Sequence, residues 1–245
     1  MGGSTWDDAP MDKALQHAYG IAKERGQRLT KEAVARSIAI DFEGRGAPPG
    51  GDAPAPDFLG WRIGHKSREL IGRVVTPKLH FLANAVRGRS KGITSGTLQG
   101  CVQELIEHAT AGERVLLHFS FHEVQMLYRS LNHDLFDAVT AHLADGKPLI
   151  ERYFKAARPR QHREMASFSL EAAAKSLCPA IQRAQPEVGV GAFFSDVRER
   201  IQGRNKPRFG NLTAGQRDKW STLLEYNFYD LKMLHRCAYK AAAAK

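Results

Sequence analysis

The stretch SIAIDFEG at positions 37–44 restricts the fold most, because an apolar run ends there in two acids one residue apart. The apolar run up to Ile40 predicts a buried β-strand. Side chains alternate along a strand, so Asp41 and Glu43 point to one face with Cα atoms about 6.5 Å apart. Two carboxylates this close repel each other, and a bound divalent cation relieves the repulsion. The alternative is a strand end in solvent with two acids that have no function.

Composition restricts the class of protein and its partners. The 245 residues suffice for one large domain, and 42% hydrophobic residues suit a packed core. The formal net charge of +10 favours a polyanion such as nucleic acid, although it also serves solubility. Cys101, Cys178 and Cys237 form no disulfide or zinc pattern. No apolar run approaches the roughly 20 residues of a membrane span, and from the polar start we expect no signal peptide. We expect a cytoplasmic protein without a membrane partner.

The order of elements predicts an α/β fold with a mixed sheet flanked by helices. Strands are predicted at SIAIDF, FLGWRIGH, ELIGRVV and ERVLLHFS. Helices are predicted at residues 10–25, TKEAVAR, TSGTLQGCVQELIEHATAG, residues 121–143, SLEAAAKSL, GAFFSDVRERIQ and residues 214–245. The helical stretch 121–143 is predicted as either one helix or two. We expect residues 1–36 to form an N-terminal helical extension and residues 37–245 to form one domain.

Two later segments add acids to this pattern. Glu123 follows an apolar strand and begins a helix, where the alternative is that it only stabilises the helix N-terminus. In LLEYNFYDLKML, Tyr226 and Asp230 are four residues apart and share one helix face, about 6 Å from each other. Burial penalises a charged Asp, so an Asp among leucines indicates either a function or a position at the solvent edge of that face.

Taken in order, these segments resemble the DEDD clan of 3′–5′ exonucleases in the ribonuclease H-like superfamily, in its tyrosine variant. IAIDFEG resembles the first motif, HFSFHEVQML the second and LLEYNFYDLKML the third, and SLEAAAKSLCP resembles the short helix before the third. The likeness is to the ribonuclease H-like domains associated with helicases or RecB-type nucleases, and it covers roughly residues 36 to 240. His122 and Glu123 replace the usual Phe-Asp of the second motif, and Phe119 replaces the usual Asn four residues before the acid.

The resemblance implies a ribonuclease H-like fold and a two-metal nuclease acting on single-stranded DNA or RNA, with a helicase or nuclease as a possible partner. By position, two Mg²⁺ or Mn²⁺ ions would be held by Asp41, Glu43, Glu123 and Asp230. Tyr226 and Glu43 would orient the attacking water, since a tyrosine with a pKa near 10 is a poor base at neutral pH. An inactive relative that binds nucleic acid or a protein, and an endonuclease, remain alternatives.

Three basic stretches, VRGRSKG, ARPRQHR and GRNKPRF, are predicted to be loops that contact phosphates, although at least one is expected to be an ordinary solvated loop. The candidate residues are Arg87, Arg89, Lys91, Arg158, Arg160, Arg163, Arg204, Lys206 and Arg208. Phe42 is predicted either to stack on a terminal base or to fill the core. His118, His122 and His235 are expected to have structural partners rather than to bind zinc.

Overall fold

The structure is a computed structural model that describes residues 12–44, 55–85, 92–165, 167–181 and 189–244. These residues form a sheet of six strands in the order β4-β3-β2-β1-β5-β6. The strands are β1 (Ile38–Glu43), β2 (Phe58–Ile63), β3 (Ile71–Val74), β4 (Gly92–Ser95), β5 (Leu116–His118) and β6 (Leu143–Asp145). Strand β2 is antiparallel to β1 and β3, and the β1–β5, β3–β4 and β5–β6 pairs are parallel. The predicted mixed sheet is therefore confirmed.

Helices cover both faces of this sheet, which confirms the α/β class. Their bounds are α1 (Lys13–Arg28), α2 (Lys31–Arg36), α3 (Leu98–Ala111), α4 (Phe121–Ser130), α5 (His133–Thr140), α6 (Gly146–Ala157), α7 (Pro159–Glu164), α8 (Leu170–Leu177), α9 (Val190–Ile201) and α10 (Ala214–Ala243). Two 3₁₀ helices, Pro77–Ala85 and Phe209–Asn211, lie between them. No helix of the described ranges is long and apolar enough to cross a membrane.

Two apolar layers divide the residues of β1 between the faces of the sheet. Ile38, Ile40 and Phe42 pack in one layer with residues of α1, α3 and α4. Ala39 packs in the other layer, with α10 and α6. Because side chains alternate along a strand, Asp41 lies on the same face as Ala39, beneath α10. The carboxylates therefore emerge into the layer that α10 closes.

Local capping signals predict several helix ends correctly. The Oγ1 of Thr30 accepts a hydrogen bond from Ala33 N at 3.1 Å and begins α2. The Oγ1 of Thr213 accepts one from Gln216 N at 3.1 Å and begins α10, as predicted. Such caps satisfy backbone groups that a helix end leaves without partners, and they depend only on neighbouring residues.

Three predictions about local structure are wrong. Residues 121–143 form two helices, α4 and α5, as one form of the prediction allows, but Leu143 begins strand β6 instead of ending a helix. The short strand β4 has no counterpart among the predicted strands. The stretch Arg158–Arg163 is not a loop, because Pro159 begins helix α7. Strands of three or four residues are too short to show a two-residue period, and proline is favoured in the first turn of a helix.

The two helices of the predicted N-terminal extension share a core with the sheet. Leu15, Ala18 and Ala22 of α1 belong to the apolar layer that contains Ile38 of β1. Gly26 lets α1 approach β6 closely, since a Cβ at this position would lie 1.8 Å from Asp145 O. The extension is therefore packed against the rest of the chain.

Candidate active site

The site begins with Asp41 and Glu43 on β1, which a single asparagine of α10 connects. Asn227 is fully buried, and its Nδ2 donates to Asp41 Oδ2 at 2.9 Å and to Glu43 Oε1 at 3.5 Å. Gly60 of β2 is the cross-strand partner of Asp41, and a Cβ there would lie 1.8 Å from Asn227 Oδ1. The missing side chain of Gly60 therefore leaves the space that the amide occupies above the sheet.

Glu123 is held at the start of α4 by its own helix cap. Its Oε2 accepts hydrogen bonds from Ser120 Oγ at 2.7 Å and Ser120 N at 3.2 Å, while Ser120 caps the helix in return. Strands β1 and β5 are parallel, so their carboxyl ends reach the same edge of the sheet. This brings Glu123 toward Asp41 and leaves the side chain 8% exposed.

Asp230 completes the cluster from α10, one turn after Asn227. Together with Asp41 and Glu123 it lines a cavity of about 270 Å³. Burial raises the pKa of Asp41 well above its ordinary value, and the nearby carboxyls of Glu43, Asp230 and Glu123 raise it further. The acids of three distant segments are therefore close enough together for the others to oppose ionisation of Asp41.

Sequence reasoning missed two polar residues of this site. Asn227 lies beside Tyr226 in the third segment, but a neutral amide in an apolar helix gives no sign that it points inward. Glu171 of α8 also lines the cavity, and its carboxylate pairs with Lys175 at 3.0 Å. The resemblance of SLEAAAKSLCP to the helix before the third motif identifies this helix in the sequence, but it does not single out Glu171.

Tyr226 and Glu43 are placed differently from the other candidates. Tyr226 is half-buried on α10, one turn before Asp230, and is not one of the described residues that line the cavity. Glu43 is 9% exposed and adjoins the cavity through Asn227. The roles assigned to these two residues stay predictions.

The donor chemistry of the cluster fits a hard divalent cation. Carboxylate oxygens are the ligands that Mg²⁺ and Mn²⁺ prefer, and Asp41, Glu123 and Asp230 supply them around the cavity. The buried Oδ1 of Asn227 lies over Gly60 and has no hydrogen-bond partner among the described residues. As the side chains stand, no group of three or more His, Cys, Asp or Glu residues in the described ranges is arranged to hold a metal ion. The amide NH₂ of Asn227 contacts both Asp41 and Glu43 instead.

The predicted nucleic-acid contacts are scattered. Arg87, Arg89 and Lys91 lie outside the described residues. Arg158 is half-buried and donates to Ser176 Oγ at 2.9 Å, so it joins α7 to α8. The other five are exposed, and none of them lines the acidic cavity: Arg160, Arg163, Arg204, Lys206 and Arg208. Phe42 is 7% exposed in the apolar layer that faces away from Asp41, in agreement with the core alternative.

Two of the three histidines near the acids, His118 and His235, have structural partners, as expected. His118 is fully buried, and its Nδ1 lies 2.9 Å from Ser120 O and 3.9 Å from Glu123 Oε2. His235 is fully buried between Ser37 and Arg62. His122 is exposed.

Comparisons of the chain with protein-family models, with curated proteins and with solved structures find no match.

Proposed function

We propose that the protein is a divalent-metal-dependent nuclease that hydrolyses phosphodiester bonds of DNA or RNA, trimming single strands from the 3′ end. The observation that supports this most is the convergence of four carboxylates from three distant segments, with Asp41 at the centre. A protein gains nothing in stability from burying like charges together, so such a cluster favours a role in which a cation neutralises it. A ribonuclease H-like fold is compatible with the mixed sheet and belongs to the same proposal.

In this mechanism Asp41, Glu43, Glu123 and Asp230 would hold the metal ions. Two bound ions would neutralise charge on the phosphate and lower the pKa of a bound water. Ser120 keeps the Glu123 carboxylate oriented toward the cavity through its two hydrogen bonds. Asp41 is only partly exposed beneath α10, and the lower local dielectric strengthens the electrostatic interactions around it. Tyr226 would donate a hydrogen bond that orients the attacking water.

The second candidate function is a nucleic-acid-binding or protein-interaction module without catalysis. It is favoured by the Asn227 amide, which already occupies the position between Asp41 and Glu43. It is also favoured by Glu123, whose carboxylate already serves the cap of α4.

The test is hydrolysis of end-labelled single strands in Mn²⁺ or in EDTA by the wild type and by Asp41→Asn and Asp230→Asn. We expect stepwise shortening by the wild type in Mn²⁺ only, and a loss of at least a hundredfold in either variant, since a metal ligand matters at least as much as the residues that support it. In EDTA both variants should melt at the same temperature as the wild type or higher, because like-charge repulsion is relieved.

The pH dependence of melting separates this repulsion from other effects. The raised pKa of Asp41 means that the folded state binds more protons than the unfolded state above about pH 4, so its ionisation costs stability as the pH rises. The advantage of Asp41→Asn over the wild type in EDTA should therefore grow between about pH 4 and pH 7. If the difference in melting temperature between Asp41→Asn and the wild type did not change across this range, the carboxylates would not repel one another as proposed.

Glu123 provides a matched pair of variants. Glu123→Gln keeps an oxygen that caps α4 but removes the charge, so it should fold like the wild type and lose hydrolysis. Glu123→Ala should lose hydrolysis and also about 1 kcal/mol of stability with the cap. Wild-type rates in Glu123→Gln would remove this residue from the site, and an inactive wild type that binds single strands would support the second candidate function.

A further inference from the structure

A large basic groove lies apart from the acidic cavity, between the β2–β3 turn and α10. Its volume is about 1330 Å³. Strand β2 contributes Arg62, the turn after it contributes Lys66 and Arg68, and α10 contributes Phe228, Lys232 and Arg236. Among the described lining residues, Glu69 is the only acid. Both walls of the groove therefore carry an excess of positive charge.

The groove and the acidic cavity lie on different sides of α10. Residues 228, 232 and 236 follow one another every four positions, so they form a row along one side of the helix. Asp230 is two residues from both Phe228 and Lys232, which turns its side chain about 200° from either one. The row extends from the middle of α10, beside Asn227, toward its C-terminal half, so the groove runs away from the carboxylates.

A buried arginine forms the floor of the groove and holds the turn in place. Arg62 is 1% exposed, and its Nη2 donates to His65 O at 2.7 Å and to Ser67 O at 2.6 Å. Its Nη1 donates to His235 Nδ1 at 2.9 Å. These bonds fix the backbone of the turn, from which Lys66 and Arg68 extend into solvent.

The partners of Arg62 in the described residues are all neutral, so its charge is not balanced within the fold. Burial, and then the positive charge of Arg236, lower the pKa of Arg62 to about 10. The group still carries its charge at neutral pH. A buried cation beside a second cation is unfavourable by itself, and an anion bound in the groove offsets that cost.

We propose that this groove binds the sugar-phosphate backbone of a single-stranded nucleic acid. Cations on two facing walls of a concave channel match a linear polyanion rather than the flat surface of a membrane. Phe228 is only 8% exposed, so the groove offers charge to phosphates and little aromatic surface to bases. The choice of nucleic acid rests on the proposed function, and the groove is a binding site separate from the carboxylates.

The test measures binding without hydrolysis. A fluorescent oligothymidylate is titrated in EDTA with the full chain and with the triple variant Lys66→Ala, Arg68→Ala, Arg236→Ala. We expect the Kd to rise by about tenfold to a hundredfold, and the slope of log affinity against log salt to decrease in magnitude by about 2, since each phosphate contact on a single strand contributes about 0.7.

A charge-matched control separates the groove from the general positive charge. The control is the triple variant Lys13→Ala, Arg28→Ala, Lys155→Ala, which removes the same amount of charge from α1 and α6. These helices lie near β6, the edge strand of the sheet opposite β4. Its Kd should stay within about twofold of the wild type. The variant Lys66→Ala, Arg68→Ala, confined to the exposed turn, should show an intermediate loss and guards against misfolding of the triple variant.

Three outcomes overturn the proposal: equal weakening by the groove and control variants, no weakening by the groove variants, and binding of the wild type to phosphatidylserine vesicles but not to the oligonucleotide. The nuclease proposal is measured separately in Mn²⁺. If the wild type binds through the groove but cleaves nothing, the nuclease proposal is refuted and the groove proposal stands. If the wild type cleaves and the groove variants keep its affinity, the groove proposal is refuted and the nuclease proposal stands.

Discussion

At the scale of single residues, the site depends on a pair that contains no charge. Asn227 bridges Asp41 and Glu43, and Gly60 leaves the space for it. The amide donates to two carboxylates that otherwise repel each other, so it stabilises the cluster when no cation is bound. Asn227 and Gly60 are therefore expected to act as a unit.

Gly60→Ala tests this unit. A Cβ at 1.8 Å from Asn227 Oδ1 forces the amide aside, so we expect a loss of about 1–3 kcal/mol in the free energy of unfolding, measured by urea denaturation. Removing the clash with Asn227→Ala in the same chain should recover part of this loss, which a double-mutant cycle measures as coupling.

Gly215→Ala is the control for Gly60→Ala. Gly215 lies in the first turn of α10, where an added Cβ meets no atom within 4 Å, and alanine favours the helix. This variant should be as stable as the wild type or more stable. If Gly60→Ala were as stable as the wild type, the Asn227 amide would not depend on the space above Gly60.

The sequence identifies the acids of the site more readily than its amide. Asp41 and Asp230 interrupt apolar patterns, and burying a charge is costly, so each one stands out in the sequence alone. Asn227 carries no charge and is compatible with many positions. Its importance follows from the distance to Asp41, which no local pattern encodes.

At the scale of elements, the buried side chain of His235 connects α10 to the sheet through hydrogen bonds. The Nη1 of Arg62 donates to His235 Nδ1, so the ring proton is on Nε2, which donates to Ser37 O at 3.2 Å. Burial, and then the charge of Arg62, lower the pKa of His235 to about 3, and the nearby His65 acts in the same direction. The contact joins α10 to β2 and to the start of β1.

The lowered pKa of His235 predicts a stability that decreases in acid. An unfolded histidine titrates near pH 6.5, so below this value the unfolded state binds a proton that the folded state does not. This contribution is fully present above about pH 6.5 and is lost as the pH falls toward 3. The urea midpoint of the wild type relative to that of His235→Gln should therefore decrease between about pH 7.5 and pH 5, since both proteins share every other titrating group.

His122→Gln is the matched control for that pH profile. His122 is exposed on α4, so its removal should leave the slope of stability against pH unchanged. Equal slopes in the wild type and in His235→Gln would show that His235 does not remain neutral in the folded protein.

Element types were predictable where the pattern was long. The caps of α2 and α10 and the apolar run of β1 are signals of neighbouring residues. The strand β6 was not predictable, because its three residues are defined by pairing with β5 rather than by their own period.

At the scale of the whole molecule, the N-terminal helices are part of the core. Helix α1 packs on β6 and α6, and its Leu15 is 4% exposed. We therefore expect Leu15→Asp to lower the free energy of unfolding by about 3 kcal/mol or more, since it buries an unpaired charge. Chemical denaturation of the full chain measures this loss.

His17→Asp is the control on the same helix. His17 is exposed, so this change should stay within about 0.5 kcal/mol of the wild type. If Leu15→Asp were equally mild, α1 would be an independent appendage, as its place before the predicted domain suggests.

The sequence by itself determined the α/β class, several helix caps and the four acids, because alternation, capping and interrupted apolar runs act over a few residues. Only the tertiary structure decided that Asn227 joins Asp41 across 186 positions, and that the β2–β3 turn and α10 enclose a basic groove. These contacts depend on strand register and on which side of a helix meets the sheet. Both are set by the packing of the whole chain, so no local stretch of residues specifies them.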